Sequence, residues 1–188
     1  MKKRALPILA ATLFGCSLAH AETYTVDAAH TFPTFEIGHF GVSVQRGRFN
    51  KTAGKIDIDR AAKKGKIDIS IDAASIDTGL AERDKHLRGE QFFNTDKFPS
   101  LSFKSDKITF QGDAPASADG QLTLLGVTRP VTLYITSFNC IDHPVSKKPM
   151  CGASASAMIQ RSEFGMKAFV PLVADEVRIL IAIEAFKD

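Results

Sequence analysis

The stretch that decides the fold is residues 27–49, which read DAAHTFPTFEIGHFGVSVQRGRF. Phe35, Ile37 and His39 occupy every second position, and side chains alternate faces along a β-strand, so these three share one face. Alternation that includes aromatic and branched residues predicts a half-buried strand. His39 is then expected on the apolar side, where a histidine is more often hydrogen-bonded to a buried partner than bound to a metal.

The same alternation recurs along the rest of the chain. Isoleucines at 67, 69 and 71 alternate with polar residues, as do those at 56 and 58. Further strands are predicted within 101–110, 122–124, 131–135, 153–157 and 177–183, and a loop over 111–119. One helix is predicted over 80–88, capped by Asp77 or Thr78. Eight or nine sequential strands with one helix favour an antiparallel sandwich or a closed barrel, which has no exposed edges.

The first residues have the form of a secretory signal peptide. Basic residues at 2–4 precede an apolar stretch at 5–18, and Ala19-His20-Ala21 is a small-x-small cleavage site. As a helix the apolar stretch reaches only about 21 Å, too short for a hydrocarbon core of ~30 Å. We therefore expect a signal peptide over 1–21 and a single mature domain over 22–188. The alternative is a lipoprotein signal with Cys16 acylated, which the bulky Phe14 disfavours.

Cleavage would change the charge balance. The chain has 24 Lys and Arg residues against 21 Asp and Glu residues, and the leader carries three of the basic ones, so the mature chain has 21 of each. A neutral chain with interspersed charges has no electrostatic footprint for nucleic acid or for an anionic membrane. We therefore expect no nucleic-acid partner.

Two cysteines, Cys140 and Cys151, remain after cleavage. In an oxidising compartment an even pair across a short loop predicts a disulfide, although two unpaired thiols remain the alternative. A loop of that size would contribute roughly 2–3 kcal/mol to the free energy of unfolding.

Catalytic and metal-binding patterns are weak. There is no Gly-x-Ser-x-Gly elbow, and the cysteines resemble structural ones rather than nucleophiles. The histidines at 30, 39, 86 and 143 lack the short spacing of metal ligands. The charged run at 82–86 is typical of a solvated helix face. The sequence predicts neither catalytic residues nor a metal site.

The interior of the predicted barrel is less clear. Ala153, Ala155 and Ala157 alternate along one strand, where a solid core normally carries larger side chains. They leave volume that either neighbouring phenylalanines fill or an apolar cavity occupies. An eight-stranded barrel allows both, because it can be filled by side chains or hold one small ligand.

Several motifs, taken in order, resemble those of the YceI-like family of secreted bacterial proteins across essentially the whole mature length. They are Asp27-Ala28-Ala29-His30-Thr31, Phe35-x-Ile37-x-His39, Gly47-Arg48-Phe49, Arg83-Asp84-Lys85-His86-Leu87, Phe92-Phe93, Phe98-Pro99, Gly126-Val127-Thr128-Arg129-Pro130, Arg161-Ser162-Glu163-Phe164-Gly165-Met166 and Asp175-Glu176-Val177. Departures are small: Thr31 stands where serine is usual, and Glu163 where aspartate is common.

The resemblance implies an all-β, extended lipocalin-like antiparallel barrel of about eight strands with one helical insertion. It also implies an apolar tunnel that holds an isoprenoid lipid, such as ubiquinone or a polyprenyl phosphate, in a periplasmic carrier without enzymatic activity or a cofactor. It is compatible with a homodimer and with transient membrane contact. The rival hypotheses are a hydrolase or isomerase acting on such lipids, for which His39 with an inward acid is the visible candidate, and a surface interaction protein with a filled barrel.

We expect the following residues to line the tunnel: Phe35, Ile37, His39, Val42, Phe92, Phe93, Phe98, Leu101, Phe103, Leu133, Ala155, Phe164, Met166 and Ile179. His39, Arg83 and Arg161 are the candidates for contact with the lipid head group. For the two arginines a structural salt bridge is the alternative role.

Overall fold

A computed structural model of the protein describes residues 21–188. The predicted signal peptide, apart from Ala21, and Cys16 lie outside this part of the chain, so cleavage and lipidation stay predictions. No helix in the described part is long and apolar enough to cross a membrane.

Residues 21–188 form eleven strands, one α-helix and two 3-10 turns. The strands are β1 Glu22–Val26, β2 Thr34–His39, β3 Ser43–Phe49, β4 Thr52–Asp59, β5 Lys64–Asp72, β6 Ile76–Asp77, β7 Ser100–Gln111, β8 Ala114–Leu124, β9 Val127–Asp142, β10 Pro149–Gln160 and β11 Val173–Lys187. Helix α1 is Ala81–Arg88, and the 3-10 turns are Ala73–Ser75 and Arg161–Phe164.

Eight of the strands close into an antiparallel barrel in the order β1-β4-β5-β7-β8-β9-β10-β11, with β11 pairing back onto β1. One edge of the long strand β11 pairs with β10, and its other edge pairs with two different strands. Its last residues pair with β1, as in Val26 opposite Ala185. Its first half pairs with β2, as in His39 opposite Val173, and β3 and β6 extend the sheet from there. The predicted extended barrel is confirmed.

The alternating isoleucines explain why the sheet closes around one face. In β5, Ile67, Ile69 and Ile71 all point into the barrel, while Asp68 between them reaches Lys104 of β7 on the outside at 3.0 Å. Period-two alternation thus separates an apolar interior from a charged exterior, as predicted from the sequence.

Two local predictions differ from the structure. Helix α1 begins after Leu80, which has no side-chain capping bond, and neither Asp77 nor Thr78 caps it. Instead Asp84, inside the helix, accepts the backbone N–H of Thr78 at 2.8 Å. Residues 111–119, predicted as a loop, are mostly strand β8. Its proline, Pro115, lies opposite Phe110 beside a bulge, where the strand tolerates a residue without a backbone N–H.

Cys140 and Cys151 form the predicted disulfide. They are directly opposite each other on β9 and β10. The bond therefore joins neighbouring strands and closes the loop between them.

Candidate functional site

A cavity of about 480 Å³ runs inside the barrel, within the range of ligand-binding sites in proteins. Its wall is mainly isoleucine, phenylalanine, leucine and valine contributed by nearly every strand. The alanine strand contributes to it as well, because Ala153 and Ala155 both line the cavity. The interior is therefore hollow, and the filled-core alternative is wrong.

The residues of β11 that line the cavity indicate how far it extends along the barrel. Val173, Val177, Ile179, Ile181 and Ile183 all line it. Ten residues of strand cover about 33 Å, which at a tilt near 40° is roughly 25 Å along the barrel axis. The cavity is thus a long channel rather than a compact pocket.

One end of the channel is closed by packed side chains. Beyond Ile183, the next inward residue of β11 is Ala185, which is buried against Tyr24 and Cys151. Tyr24 donates its hydroxyl to Glu22 at 2.6 Å. Burial, and then this bond, raise the pKa of Tyr24 to about 12. We call this the closed end.

The other end opens to solvent. Four residues that line the cavity are also exposed, namely Phe40, Arg46, His86 and Phe169. Three of them lie near the start of β11: the Phe40 N–H donates to Leu172 O at 2.8 Å, and the His86 and Phe169 rings are 6.4 Å apart. We call this end the mouth.

The polar residues of the wall contain no carboxylate within the described residues. They are Thr31, Thr34, His39, Gln45, Arg46, Thr52, Thr78, Arg83, His86 and Arg161. The charged members are all arginines, so the cavity is suited to a ligand whose polar part accepts hydrogen bonds.

Arg83 is a half-buried cation at the mouth that is held by neutral acceptors. Its Nε donates to Thr78 Oγ1 at 2.8 Å, and its terminal nitrogens donate to Thr78 O at 2.7 Å and Gln45 Oε1 at 2.8 Å. Thr78 is held in turn by Asp84. No carboxylate forms a salt bridge with Arg83 in the part of the chain described. Two of its five N–H groups remain for another acceptor.

Arg161 has a different role. It is 2% exposed, and four backbone carbonyls surround its guanidinium: Ala174, Met166, Ala168 and Val173, at 2.8 to 3.0 Å. Desolvation lowers its pKa. Its donors are therefore largely occupied in fixing the segment 166–174, through backbone carbonyls rather than through the salt bridge that was the alternative.

His39 lies half-buried at the mouth. Its ring packs against Phe40, with 4.0 Å between ring centroids. Among residues 21–188 no hydrogen bond to its imidazole is present, so the expected buried partner is absent.

Thirteen of the predicted site residues line the cavity. They are Phe35, Ile37, His39, Arg83, Phe92, Phe93, Leu101, Phe103, Leu133, Ala155, Arg161, Met166 and Ile179. This places them around one space; whether they contact a lipid stays a prediction.

Val42, Phe98 and Phe164 do not line it, which corrects three predictions. Val42 is in the tight turn between β2 and β3 and is 82% exposed. Phe98 packs against Gly126 in the turn between β8 and β9, where a Cβ on Gly126 would lie only 2.9 Å from the Phe98 ring. Phe164 is buried in a 3-10 turn and borders a separate cavity outside the barrel.

The sequence reasoning missed several wall residues. Ile56, Ile58, Ile67, Ile69, Ile71, Ile181 and Ile183 line the cavity. Their alternation was recognised, but alternation predicts an inward face and does not distinguish a cavity wall from ordinary core. The mouth residues Phe40 and Phe169 lie in or beside turns, where no periodic signal exists.

One cluster of potential metal ligands lies outside the cavity. Ligand atoms of Asp27, His30 and Glu184 are within 4.8 Å of one another. Asp27 also accepts the backbone N–H of Ala29 at 2.9 Å and His30 Nδ1 at 2.7 Å. The hydrogen bond between the two side chains lowers the pKa of Asp27 and raises that of His30. The pair is explained as the closure of the turn between β1 and β2.

Comparison with known proteins gives a consistent result. A family model described as "YceI-like domain" matches residues 24–185. "Protein YceI" of Shigella flexneri is 36% identical over 188 residues, covering 98% of this chain and 97% of that protein. The crystal structure of the Campylobacter jejuni YCEI protein is 27% identical, with a TM-score of 0.69 over 81% of this chain and 90% of the other.

A more distant structure has the same fold. It is described as a polyisoprenoid binding domain from Saccharophagus degradans, with 15% identity and a TM-score of 0.63, covering 90% of this chain and 100% of the other.

Proposed function

The chain belongs to the YceI-like family, and from that premise we propose that it is a periplasmic carrier that holds an isoprenoid lipid, such as ubiquinone or a polyprenyl phosphate, inside its barrel. The observation that carries the proposal is the shape of the cavity. It is apolar along roughly 25 Å, closed at one end and cationic at the other. A ligand with a long tail and a single polar end fits that distribution.

The description of the Saccharophagus degradans domain as polyisoprenoid-binding supports the same ligand class. At 15% identity that likeness by itself shows the fold alone. The ligand is therefore argued from the cavity of this chain, and the location from the predicted signal peptide.

The free energy of lipid transfer favours a protein that both binds and releases lipid over one that binds it irreversibly. Moving one five-carbon unit from water into an apolar site contributes on the order of 3–4 kcal/mol. A tail in a bilayer is already out of water, however, so its transfer into the channel is close to break-even. The protein can then both load and release the lipid.

Arg83 is the residue we assign to the head group. Its two unused N–H groups and the absence of a carboxylate partner leave it free to donate to a phosphate or quinone oxygen. Arg161 is excluded from that role by its carbonyl partners, and Arg46 by its 2.7 Å ion pair with Glu36.

The carrier fits better than the hydrolase or isomerase alternative. That alternative required His39 together with an inward acid, and no Asp or Glu lines the cavity in residues 21–188. General acid–base chemistry on the lipid would then depend on histidines without an acidic partner.

The test compares a polyprenyl phosphate with the polyprenol of the same tail, each titrated into delipidated protein. Arg83→Gln should weaken phosphate binding by about ten- to a hundredfold, because a hydrogen bond to a charged group contributes ~1.5–3 kcal/mol, and should affect the alcohol less. Arg60→Gln, at an exposed arginine that does not line the cavity, is the matched control and should leave both unchanged. Equal losses for both ligands in Arg83→Gln would contradict the assignment, and no uptake of either a polyprenyl phosphate or ubiquinone by the unsubstituted protein would contradict the carrier.

A further inference from the structure

Five apolar side chains stand exposed around the mouth. Phe40 and Val42 come from the turn between β2 and β3, and Phe169, Val170 and Leu172 from the segment before β11. Phe40 is 56% exposed, Phe169 52% and Leu172 62%. We call these five residues the lip. A cluster of this kind on a water-soluble surface is typical of a binding site for another apolar surface.

The lip is continuous with the cavity. The Phe40 N–H donates to Leu172 O at 2.8 Å, which joins the two segments, and the Val173 N–H donates to Phe169 O at 2.8 Å. Phe40 and Phe169 also line the cavity wall. A tail leaving the channel would therefore pass directly between the lip side chains.

The two lip phenylalanines are held in an unfavourable backbone conformation. Phe40 has a φ of 55° and Phe169 a φ of 60°, the left-handed region that glycine and asparagine adopt most readily. The turn between β2 and β3 consists of Phe40, Gly41 and Val42, and Gly41 also has a positive φ, of 69°. Asparagine or glycine would suit both positions better in water, so the exposed aromatic rings point to a function.

Within the two segments that carry the lip the charged side chains are positive, and the acidic residues that flank these segments, Glu36 and Asp175, are bound to Arg46 and Ser162. Residues 37–45 and 165–174, which carry the lip, contain no Asp or Glu, although the chain has 21 such residues. They include Lys167 and His39, and Arg83 and His86 lie at the mouth beside them. Although the mature chain is neutral overall, the region around the lip is therefore apolar and basic. Apolar surface combined with basic residues binds the interface of an anionic bilayer.

We propose that the lip docks on the surface of an anionic lipid bilayer, with the mouth facing the membrane. This rests on the proposed function, because the bilayer is where an isoprenoid tail resides before it is carried. A protein partner fits less well, since a standard protein interface takes ~20–30 residues from each side and the lip has five.

The experiment measures flotation of the purified protein with vesicles of equal parts phosphatidylethanolamine and phosphatidylglycerol. The variant is Val42→Ser with Leu172→Ser, because neither side chain lines the cavity. The control is Ile141→Ser with Val145→Ser, two exposed aliphatic residues near the disulfide, beyond the closed end. Lipid extracted from each protein and its sedimentation without vesicles are measured in parallel.

We expect the unsubstituted protein and the control to float, and the lip variant to lose vesicle affinity by about tenfold or more while keeping its extracted lipid. Equal flotation of lip variant and control overturns the docking proposal. So does a lip-dependent dimer without vesicles, which would make a second copy the occupant. If no protein floats with the vesicles but lipid is extracted from it, the docking proposal is wrong and the carrier proposal stands. If flotation depends on the lip but the protein contains no lipid and takes up none that is added, the carrier proposal is wrong.

Discussion

The two ends of the barrel are made from the same strands, but apolar side chains are buried at one end and exposed at the other. At the closed end, Ala185, Tyr24 and Cys151 are buried against each other and the disulfide lies beside them. The mouth lies at Val173, twelve residues before Ala185 on β11. Large apolar side chains are exposed to solvent there, and Arg161 binds the backbone carbonyls of the neighbouring segment 166–174.

This difference shows where the function resides. The strands supply a uniformly apolar interior, because inward and outward residues alternate along β11 from Val177 to Ala185. The turns decide whether that interior ends in packed side chains or opens. Changes in the strands should therefore alter the capacity of the channel, and changes at either end should alter stability or exchange.

The largest effect is expected from blocking the channel between its two ends. Ala155 lines the cavity opposite Ile181, and Ala155→Trp fills space that the lipid tail would occupy. Bound lipid should fall to nearly none, with a change of less than ~3 kcal/mol in the free energy of unfolding, as overpacking typically costs 1–3 kcal/mol.

The matched control is Ala182→Trp, on the outer face of the same strand pair, opposite Ser154. It should keep its lipid. Mass spectrometry of the extracts compares the two, and equal lipid in both would show that the tail does not reach this depth.

A second prediction concerns the segment before the mouth. Arg161→Gln leaves most of four buried carbonyls without donors and should lower the free energy of unfolding by about 3 kcal/mol. Hydrogen exchange should increase within 166–174 while β1 at the closed end remains protected. Unchanged exchange in that segment, with weaker binding of the phosphate head group, would restore Arg161 as a ligand residue.

At the closed end, replacing both Cys140 and Cys151 by serine should lower the free energy of unfolding by roughly 2–3 kcal/mol, since the bond closes a short loop. Lipid content and the rate of exchange with vesicles should not change, because the proposed lipid would enter and leave through the mouth. Faster exchange in this variant would mean that the disulfide end is a second opening.

The smallest effect is a pH dependence at the turn between β1 and β2. The hydrogen bond to Asp27 raises the pKa of His30 above 6.5, so its stabilisation is complete below that pH and is lost as pH rises through the folded value. The pKa of Asp27 is lowered from 3.8, so its contribution is lost only in acid.

The difference in thermal midpoint between the protein and His30→Gln should therefore be larger at about pH 5.5 than at about pH 8.5. Scanning calorimetry at the two pH values measures it. A difference that grows towards the higher pH would contradict the assigned pair.

Alternation predicted an antiparallel sandwich or a closed barrel, and the family resemblance selected the barrel, which the structure confirms. The even cysteine pair predicted the disulfide correctly. Alternation also predicted that Phe35, Ile37 and His39 share a face, and all three line the cavity. The hollow interior did not follow from composition, since the alternating alanines were compatible with a filled core, and the family resemblance decided between the two.

The rest depended on side-chain contacts between distant segments. Val42 was expected to line the tunnel, but it lies in the turn between β2 and β3 and is exposed to solvent. Arg83 and Arg161 were equally good head-group candidates from the sequence, and only their hydrogen-bond partners distinguish their roles. Arg83 is bound by Thr78 and Gln45, and Arg161 by four backbone carbonyls. The lip could not be recognised, since its residues are in two turns that only the fold brings together.

The central claim is that the channel holds an isoprenoid lipid. The most direct measurement is organic extraction of the purified protein followed by mass spectrometry, with the Ala155→Trp variant prepared in parallel. We predict an isoprenoid quinone or polyprenyl phosphate at about one molecule per chain, and almost none in the variant. An extract without isoprenoid, from a protein that also takes up none when a polyprenyl phosphate or ubiquinone is supplied, would contradict the account.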